Sequence, residues 1–269
     1  MPPPLIDIAA NLTAPAFHAD LAPVLARARA ASVVAMIVAG STVADSARAL
    51  ELCRDHPDLL WCTAGVHPHH AATCDEHSLA TLRHLAQDDR VVAIGECGLD
   101  FFRDLSPRPV QEHWFVAQMQ LACDLGLPLY MHERDAHARF LALVKEHRAR
   151  FSRGVVHCFT ADAAAARAYL DLDLHLGITG WICDERRGVH LQEIVKFIPT
   201  ERLMLETDAP YLIPRTMLPK PKSGRNEPAF LPWVLDMVAK CRGESEATVA
   251  ANATRVAQEF FAIAPGGAA

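Results

Sequence analysis

Short, almost purely apolar runs recur along the chain, and most are followed by a stretch in which apolar residues recur with helical spacing. Runs of this kind, without polar alternation, are typical of strands that are buried on both faces of a parallel sheet. We predict eight such strands, at 5–10, 33–39, 59–66, 91–96, 127–131, 155–156, 174–178 and 202–205.

The segments between these strands carry helical patterns. The predicted helices lie at 20–31, 44–56, 75–87, 109–125, 136–150 and 163–170, and two closing helices lie at 231–241 and 246–261. Pro57 ends the second helix because proline cannot continue it. Strands that alternate with helices at this spacing are typical of crossover units in a parallel sheet.

Eight strands with helical crossovers predict an α/β fold, a (β/α)8 TIM barrel of the metal-dependent hydrolase type. The 269 residues suit one such barrel, so we expect a single domain over 1–269, with a flexible tail at 264–269. An open, doubly wound sheet is the alternative. No Gly-x-Gly-x-x-Gly follows the first strand, and polar strand ends are spread over most of the sheet, which favours the barrel.

Composition and charge limit the functional classes. A net charge of −6 and a pI near 6.1 exclude a broad basic face that coats nucleic acid. The eight cysteines form no Cys-x-x-Cys pair, so we expect reduced thiols and a cytoplasmic location. No apolar run approaches the roughly 20 residues of a membrane span, so no membrane partner is expected.

Polar residues stand at the ends of five predicted strands, where barrel enzymes carry their chemistry. They are His67, Glu96, His132, His157 and Asp208. A single histidine at a strand end is more often a hydrogen-bonded core residue than a ligand. Recurrence at four strand ends favours a shared divalent-metal site, because imidazole and carboxylate are common metal ligands.

Each of these residues has an expected role. Glu96 is suited to bridge two metals, and His132 and His157 to complete the shell of one. Asp208 is expected to bind at the metal site and accept a proton from the attacking water, and His67 to contact a substrate oxygen. Catalysis is therefore assigned to Glu96, Asp208 and His67. His69 and His70 suit a solvated loop as well as a functional role.

Cationic and aromatic residues follow the same strands. Guanidinium groups suit phosphate oxygens, and the cations are Arg134, Arg186, Arg187, Arg215, Lys220, Lys222 and Arg225. For the two lysines, an ordinary basic surface loop is an equally good interpretation. The aromatic residues are Phe101, Phe102, Trp181 and Tyr211, which either stack on bases or pack under loops.

Seven ordered segments resemble the signature blocks of the TatD-family metal-dependent deoxyribonucleases. They begin at Gly65 (GVHPH), Ile94 (IGECGLDF), Met131 (MHERDAH), Val156 (VHCFT), Gly177 (GITGW), Glu206 (ETDAPYL) and Arg225 (RNEP). The resemblance runs from the first strand nearly to the C-terminus.

This resemblance implies a (β/α)8 barrel that hydrolyses phosphodiester bonds, as a 3′–5′ exonuclease on single-stranded DNA and in some members RNA, with a role in DNA repair or degradation. It implies Glu96, His132, His157 and Asp208 as metal-site residues and His67 as a residue near the scissile phosphate. Asn226 matches a block that shapes the structure or the substrate site. The expected substrate-binding residues are His67, Arg134, Arg186, Arg187, Tyr211, Arg225 and Asn226, and the expected oligomeric state is a monomer.

One departure concerns the metal count. Related metal hydrolases have a His-x-His pair after the first strand, where this chain has Ala9 and Asn11. The chain resembles the TatD subgroup that lacks this pair. We expect one firm and one weak site, with Asn11 offering an amide oxygen, and Mg²⁺ as the metal, since Mg²⁺ keeps several waters. Mn²⁺ and Zn²⁺ are alternatives.

Two other functions remain open from the sequence. The same metal chemistry serves an amide or ester hydrolase on the same barrel, which only the substrate contacts distinguish. Loss of the His-x-His pair also fits a non-enzymatic barrel retained for binding. The arginine-rich loops favour a phosphate substrate, and the intact ligands at four strand ends favour an enzyme.

Overall fold

The computed structural model describes residues 3–264, which form a barrel of eight parallel strands in chain order. The strands are β1 (Leu5–Ala10), β2 (Val33–Val38), β3 (Leu60–Ala64), β4 (Val91–Asp100), β5 (Leu129–Arg134), β6 (Gly154–Val156), β7 (His175–Ile178) and β8 (Leu203–Leu205). The backbone of Asn11 donates to Ala209, and that of Asp208 donates to Ala9, so the segments after β1 and β8 close the ring. The predicted TIM barrel is confirmed.

Nine helices surround the strands in the described part of the chain. They are α1 (Leu21–Ala30), α2 (Val43–Asp55), α3 (Glu76–Leu85), α4 (Arg108–Leu125), α5 (His137–His147), α6 (Ala163–Leu170), α7 (Val189–Ile194), α8 (Leu231–Arg242) and α9 (Glu246–Phe261). Helix α7 was not predicted, because six residues are too few to show a helical repeat. No described helix has the length and apolar character needed to cross a membrane. All but the first residue of the predicted tail at 264–269 lie outside the described residues.

The fourth strand does not end at Glu96, as the sequence pattern suggested, but continues to Asp100. Its pairing with β5 slips between Ile94 and Cys97 and then resumes. The fifth strand likewise continues past His132 to Arg134. Both predicted ends were wrong because the polar and glycine residues that mark a loop in sequence here belong to paired strands.

The interior of the barrel is filled by alternate residues of the strands, as expected from the two-residue repeat of a strand. Tyr130, Val155 and Met204 belong to an apolar cluster that also includes Phe260 and Phe261 of α9. Helix α9 therefore packs on this inner cluster. His132, His157 and Glu206 come two residues after Tyr130, Val155 and Met204, which places them one layer further along, toward the C-terminal mouth.

His175, the first residue of β7, is expected to make the barrel sensitive to acid. Its ring is 8% exposed, lies 4.8 Å from the Phe260 ring, and has no partner for Nδ1. Burial, reinforced by Arg202, lowers its pKa from 6.5 to about 4. Between these two pH values the unfolded chain binds a proton that the folded chain does not, so stability decreases as pH falls through this window.

We predict that the unfolding free energy of His175→Gln falls by about 2–3 kcal/mol less than that of the wild type when the pH is lowered through this window. The measurement is urea unfolding at neutral pH and near pH 4. His113→Gln, at an exposed position on α4, is the matched control and should retain the pH dependence of the wild type. Equal pH dependence in His175→Gln and the wild type would show that this ring is not responsible.

We also predict that Gly98→Ala disrupts the contact between β4 and β5. An added Cβ would lie 1.9 Å from the carbonyl oxygen of His132, and the φ of 146° disfavours any side chain. The expected cost is about 3 kcal/mol or more of unfolding free energy. Gly126→Ala, with a φ of 68° and open space around it, should cost only about 1 kcal/mol. Equal losses in the two variants would contradict the close approach of the strands.

Candidate metal centre

One oxygen of Glu96 is shared by three imidazole rings at the barrel mouth. Oε1 lies 2.7 Å from Nε2 of His157, 3.1 Å from Nδ1 of His132 and 3.2 Å from Nε2 of His67. The carboxylate is 6% exposed. The four side chains come from β4 and β5 and from the residues that follow β3 and β6, so the barrel brings together residues that are distant in sequence.

The orientation of His67 is set by the turn that it begins. The backbone N–H of His69 donates to Nδ1 of His67 at 3.0 Å, at the start of a 3₁₀ turn that continues with Pro68. Nδ1 is therefore an acceptor, and Nε2 faces Glu96. Burial lowers the pKa of His67 to about 4, so the ring is neutral near pH 7. The sequence predicted a substrate contact for His67, and the structure places it within the Glu96 cluster.

His132 lies between two carboxylates. Its Nδ1 faces Glu96, and its Nε2 lies 3.1 Å from Oδ2 of Asp100. The same Asp100 oxygen lies 2.7 Å from Nε2 of His69. Asp100 was not selected from the sequence. It lies four residues after Glu96 on the same strand, and the two-residue repeat of a strand places both side chains on one face. His69 contacts this carboxylate, while the role of His70 stays open.

His157 is enclosed from two further sides. Its ring stacks on Tyr130 with centroids 4.6 Å apart, and its Nδ1 lies 3.7 Å from Oε2 of Glu206. The other Glu206 oxygen accepts a hydrogen bond from the backbone N–H of Cys158. Glu206 is fully buried. Only Asp208 was predicted as a site residue in this segment, although Met204, Glu206 and Asp208 follow the same two-residue repeat.

Asp208 lies against the residue that replaces the missing histidine. Oδ1 of Asp208 accepts a hydrogen bond of 2.9 Å from the amide Nδ2 of Asn11. The amide nitrogen makes this contact, so the expected role of the Asn11 amide oxygen as a metal ligand stays a prediction. Thr207, directly before Asp208, is held by the buried carboxylate of Asp7 through its N–H at 2.9 Å and its hydroxyl at 2.5 Å.

The charges of the cluster are strongly coupled. Burial opposes ionisation of Glu96, but the facing His157 and His67 rings and the hydrogen bonds from His132 and His157 hold its pKa well below the usual range. Burial also opposes protonation of His132 and His157, and the carboxylates that face them raise both pKa values. These two rings therefore hold a proton beside Glu96 to a higher pH than a free imidazole does.

These residues fit a divalent metal. His67, Glu96 and His132 can each offer a ligand atom within 4.8 Å of the others. Nδ1 of His157 and Oε2 of Glu206 are buried without a hydrogen-bond partner. Imidazole and carboxylate donors suit divalent cations, and a cation that binds here would displace the ring protons, so binding is expected to release protons. His157 and Asp208 are outside the set of three, and their roles as ligands stay predictions.

Besides His67, three of the seven predicted substrate-binding side chains are at the mouth. Arg134 is the last residue of β5, where its guanidinium lies 4.5 Å from the Phe102 ring centroid. Arg134, Phe102 and Arg187 line one groove. Tyr211, 59% exposed, lines a second, polar groove with Asn11.

The other three hold loops through contacts within the protein. Arg186 forms hydrogen bonds with Asp184, and Arg225 forms ion pairs with Asp20 and Glu227. Asn226 is buried and donates to the backbone oxygens of Thr207 and Tyr211. Sequence alone did not reveal these partners, so Arg186, Arg225 and Asn226 do not enter the substrate surface proposed below.

Comparison with known proteins gives consistent matches along the chain. Residues 6–262 match the family model described as TatD related DNase. The chain is 47% identical over 259 residues to a protein named 3′-5′ ssDNA/RNA exonuclease TatD from Pantoea ananatis, covering 96% of this chain and 100% of that protein. It is 49% identical to the protein of the same name from Cronobacter sakazakii, covering 94% and 97%.

Solved structures show the same fold. A TatD-family hydrolase from Entamoeba histolytica superposes with a TM-score of 0.88 at 26% identity, covering 97% of this chain and 98% of that one. YjjV, a TatD homologue from Escherichia coli, gives a TM-score of 0.88 at 27% identity with the same coverage. Because the family model matches residues 6–262 of this chain, the chain belongs to the TatD-related DNase family of hydrolases.

Proposed function

We propose that the protein is a divalent-metal-dependent 3′–5′ exonuclease on single-stranded DNA and RNA. The observation that carries this proposal is the Glu96 carboxylate shared by three imidazoles at the barrel mouth. The names of relatives 46–49% identical along nearly the whole chain support the direction of cutting and the substrate. The cationic side chains of Arg134 and Arg187, which line one groove, support an anionic substrate.

Glu96, His67, His132 and His157 would hold the metal. When bound, a divalent cation there supplies polarisation of a phosphoryl oxygen and a lower pKa for the attacking water. Mg²⁺ is our preferred ion, with Mn²⁺ and Zn²⁺ as alternatives. We assign the firm site to the Glu96 cluster and a weaker site to the space between Glu96 and Asp208, because the histidine pair that would complete it is replaced by Ala9 and Asn11.

Asp208 is the proposed proton acceptor. Burial, together with the charges of Glu96 and Glu206, raises its pKa to about 7, although the charge of His157 acts in the opposite direction. Near pH 7, a carboxylate with such a pKa is partly ionised and can accept a proton, and it can also retain the proton that it accepts. Asn11 steers this carboxylate through its 2.9 Å hydrogen bond, and Asp7 fixes the segment before it through Thr207.

The metal-centre residues are tested with end-labelled oligonucleotides. We predict that Glu96→Gln and His132→Ala each lower kcat/KM by on the order of 10²–10³-fold, because both remove groups from the cation and the reacting phosphate. Asp100→Asn, which leaves His132 in place but weakens its orientation, should cost roughly 10–100-fold. His113→Ala, on the exposed face of α4, is the control. Full activity in Glu96→Gln would refute the assignment.

The pH profile tests the pairing of Asn11 with Asp208. The hydrogen bond from Asn11 lowers the pKa of Asp208, so Asn11→Ala should raise that pKa and move the acidic limb of kcat/KM to higher pH. The expected shift is on the order of half a unit or more, consistent with one hydrogen bond to a charged group. Asp208→Asn should remove the limb together with most of the activity. A limb at the same pH in Asn11→Ala would exclude Asp208 as its source.

A further inference from the structure

A groove beside the metal centre combines flat aromatic surface with positive charge. It has a volume of about 390 Å³ and is lined by Phe102, Arg134, Trp181, Arg187 and His190, among others. This volume lies in the range of small-ligand pockets, roughly 300–1,000 Å³. None of the metal-centre histidines and neither Glu96 nor Asp208 lines it.

Strand register places this groove next to the cluster. Arg134 lies two residues beyond His132 on β5, about 7 Å along the strand. It pairs with Asp100 of β4, whose carboxylate contacts His132, and Phe102 follows Asp100 by two residues. A nucleotide whose phosphate reaches the cluster would therefore have its base within reach of the groove.

The aromatic wall is open to solvent. Phe102 is 56% exposed, although a large apolar side chain is normally buried. The guanidinium of Arg134 lies 4.5 Å from the centroid of Phe102 and 5.9 Å from that of Trp181. Aromatic faces and guanidinium planes are the surfaces on which unpaired bases stack.

The charges of the groove are not neutralised by the protein. The side chains of Arg134 and Arg187 have no ion pair and no hydrogen bond within residues 3–264, whereas the neighbouring Arg186 and Arg215 are paired with Asp184 and Glu185. Asp135 also lines the groove. Its carboxylate would repel a phosphate inside the groove, which favours an uncharged base as the group that the groove binds.

We propose that this groove binds the base of a nucleotide next to the cleaved phosphate by stacking it on Phe102, Trp181 and the Arg134 plane. The inference rests on the proposed nuclease function and adds its mode of substrate selection. A stacked base must first leave its own stack, so the groove favours single strands over duplexes. Because every base has a flat face, it is tolerant of sequence.

Binding is measured without catalysis, by fluorescence anisotropy of a 5′-labelled single-stranded oligonucleotide in EDTA. Phe102→Ala and Arg134→Gln should each weaken binding on the order of tenfold, the effect of losing one stacked base. Phe102→Trp should restore it. A set of oligonucleotides, each with one abasic residue at a different distance from the 3′ end, identifies the stacked base. At one position the abasic residue should weaken binding to the wild type but should not weaken binding to Phe102→Ala any further.

Two variants serve as controls. Leu105→Ala removes an apolar side chain that is 65% exposed shortly after Phe102 and does not line the groove. Arg167→Ala removes a guanidinium that lies 4.0 Å from the Phe197 ring centroid, in an arginine–aromatic pair outside the groove. Both should bind as the wild type does.

The outcomes separate this proposal from the nuclease assignment. Wild-type affinity in Phe102→Ala and Arg134→Gln, with cleavage by the wild type intact, overturns the groove and leaves the nuclease. No loss of affinity at any abasic position shows phosphate binding alone and also overturns it. Groove-dependent binding without cleavage in added metal supports the groove and overturns the nuclease. No binding by the wild type overturns the groove, and cleavage by the wild type in added metal then decides the nuclease assignment separately.

Discussion

A single buried carboxylate, shared by three imidazole rings, is the constraint around which the mouth of this barrel is built. An ionised group removed from water costs several kcal/mol unless opposite charge and hydrogen bonds surround it. Glu96 meets this requirement with His67, His132 and His157, each supplied by a different strand or the residues after it. The arrangement exists only when the parallel sheet has formed, so the site cannot form without the fold.

The backbone of the strands is adapted to this arrangement. Gly98 brings β4 against the carbonyl oxygen of His132, closer than any side chain would allow. The slip in pairing between Ile94 and Cys97 lets Glu96 face the cluster while the strand continues to Asp100. As a result Glu96 and Asp100 lie on either side of the His132 ring, and one strand supplies both carboxylates that orient it.

Much of this was predictable from sequence, and the misses have physical reasons. The eight strands and eight of the helices follow from apolar runs and helical repeats, and the five strand-end residues follow from where barrels place chemistry. Asp100 and Glu206 were overlooked because only one polar residue was selected at each strand end. The two-residue repeat of a strand places further polar side chains on the same face. The partners of Arg186 and Arg225 depend on the tertiary structure, since no local pattern shows which arginine has an acidic neighbour.

The difference between paired and unpaired arginines also defines the proposed substrate surface. Paired arginines hold loops, whereas Arg134 and Arg187 are unpaired in the described chain and lie beside the cluster. The aromatic residues divide similarly: Phe101, partly buried, packs against the core, whereas Phe102 remains exposed. A net charge of −6 is therefore compatible with an anionic substrate, because local unpaired cations, not the total charge, determine where a phosphate chain can lie.

The most direct test of the central claim is a crystal structure of the protein with Mn²⁺ and a short single-stranded oligonucleotide, with the metal located by its anomalous scattering. The account predicts Mn²⁺ within about 2.0–2.4 Å of Glu96 and of at least two of the three imidazoles, with a phosphate oxygen on its open side. Anomalous density elsewhere, with the hydrogen bonds between Glu96 and the three rings intact, would contradict it.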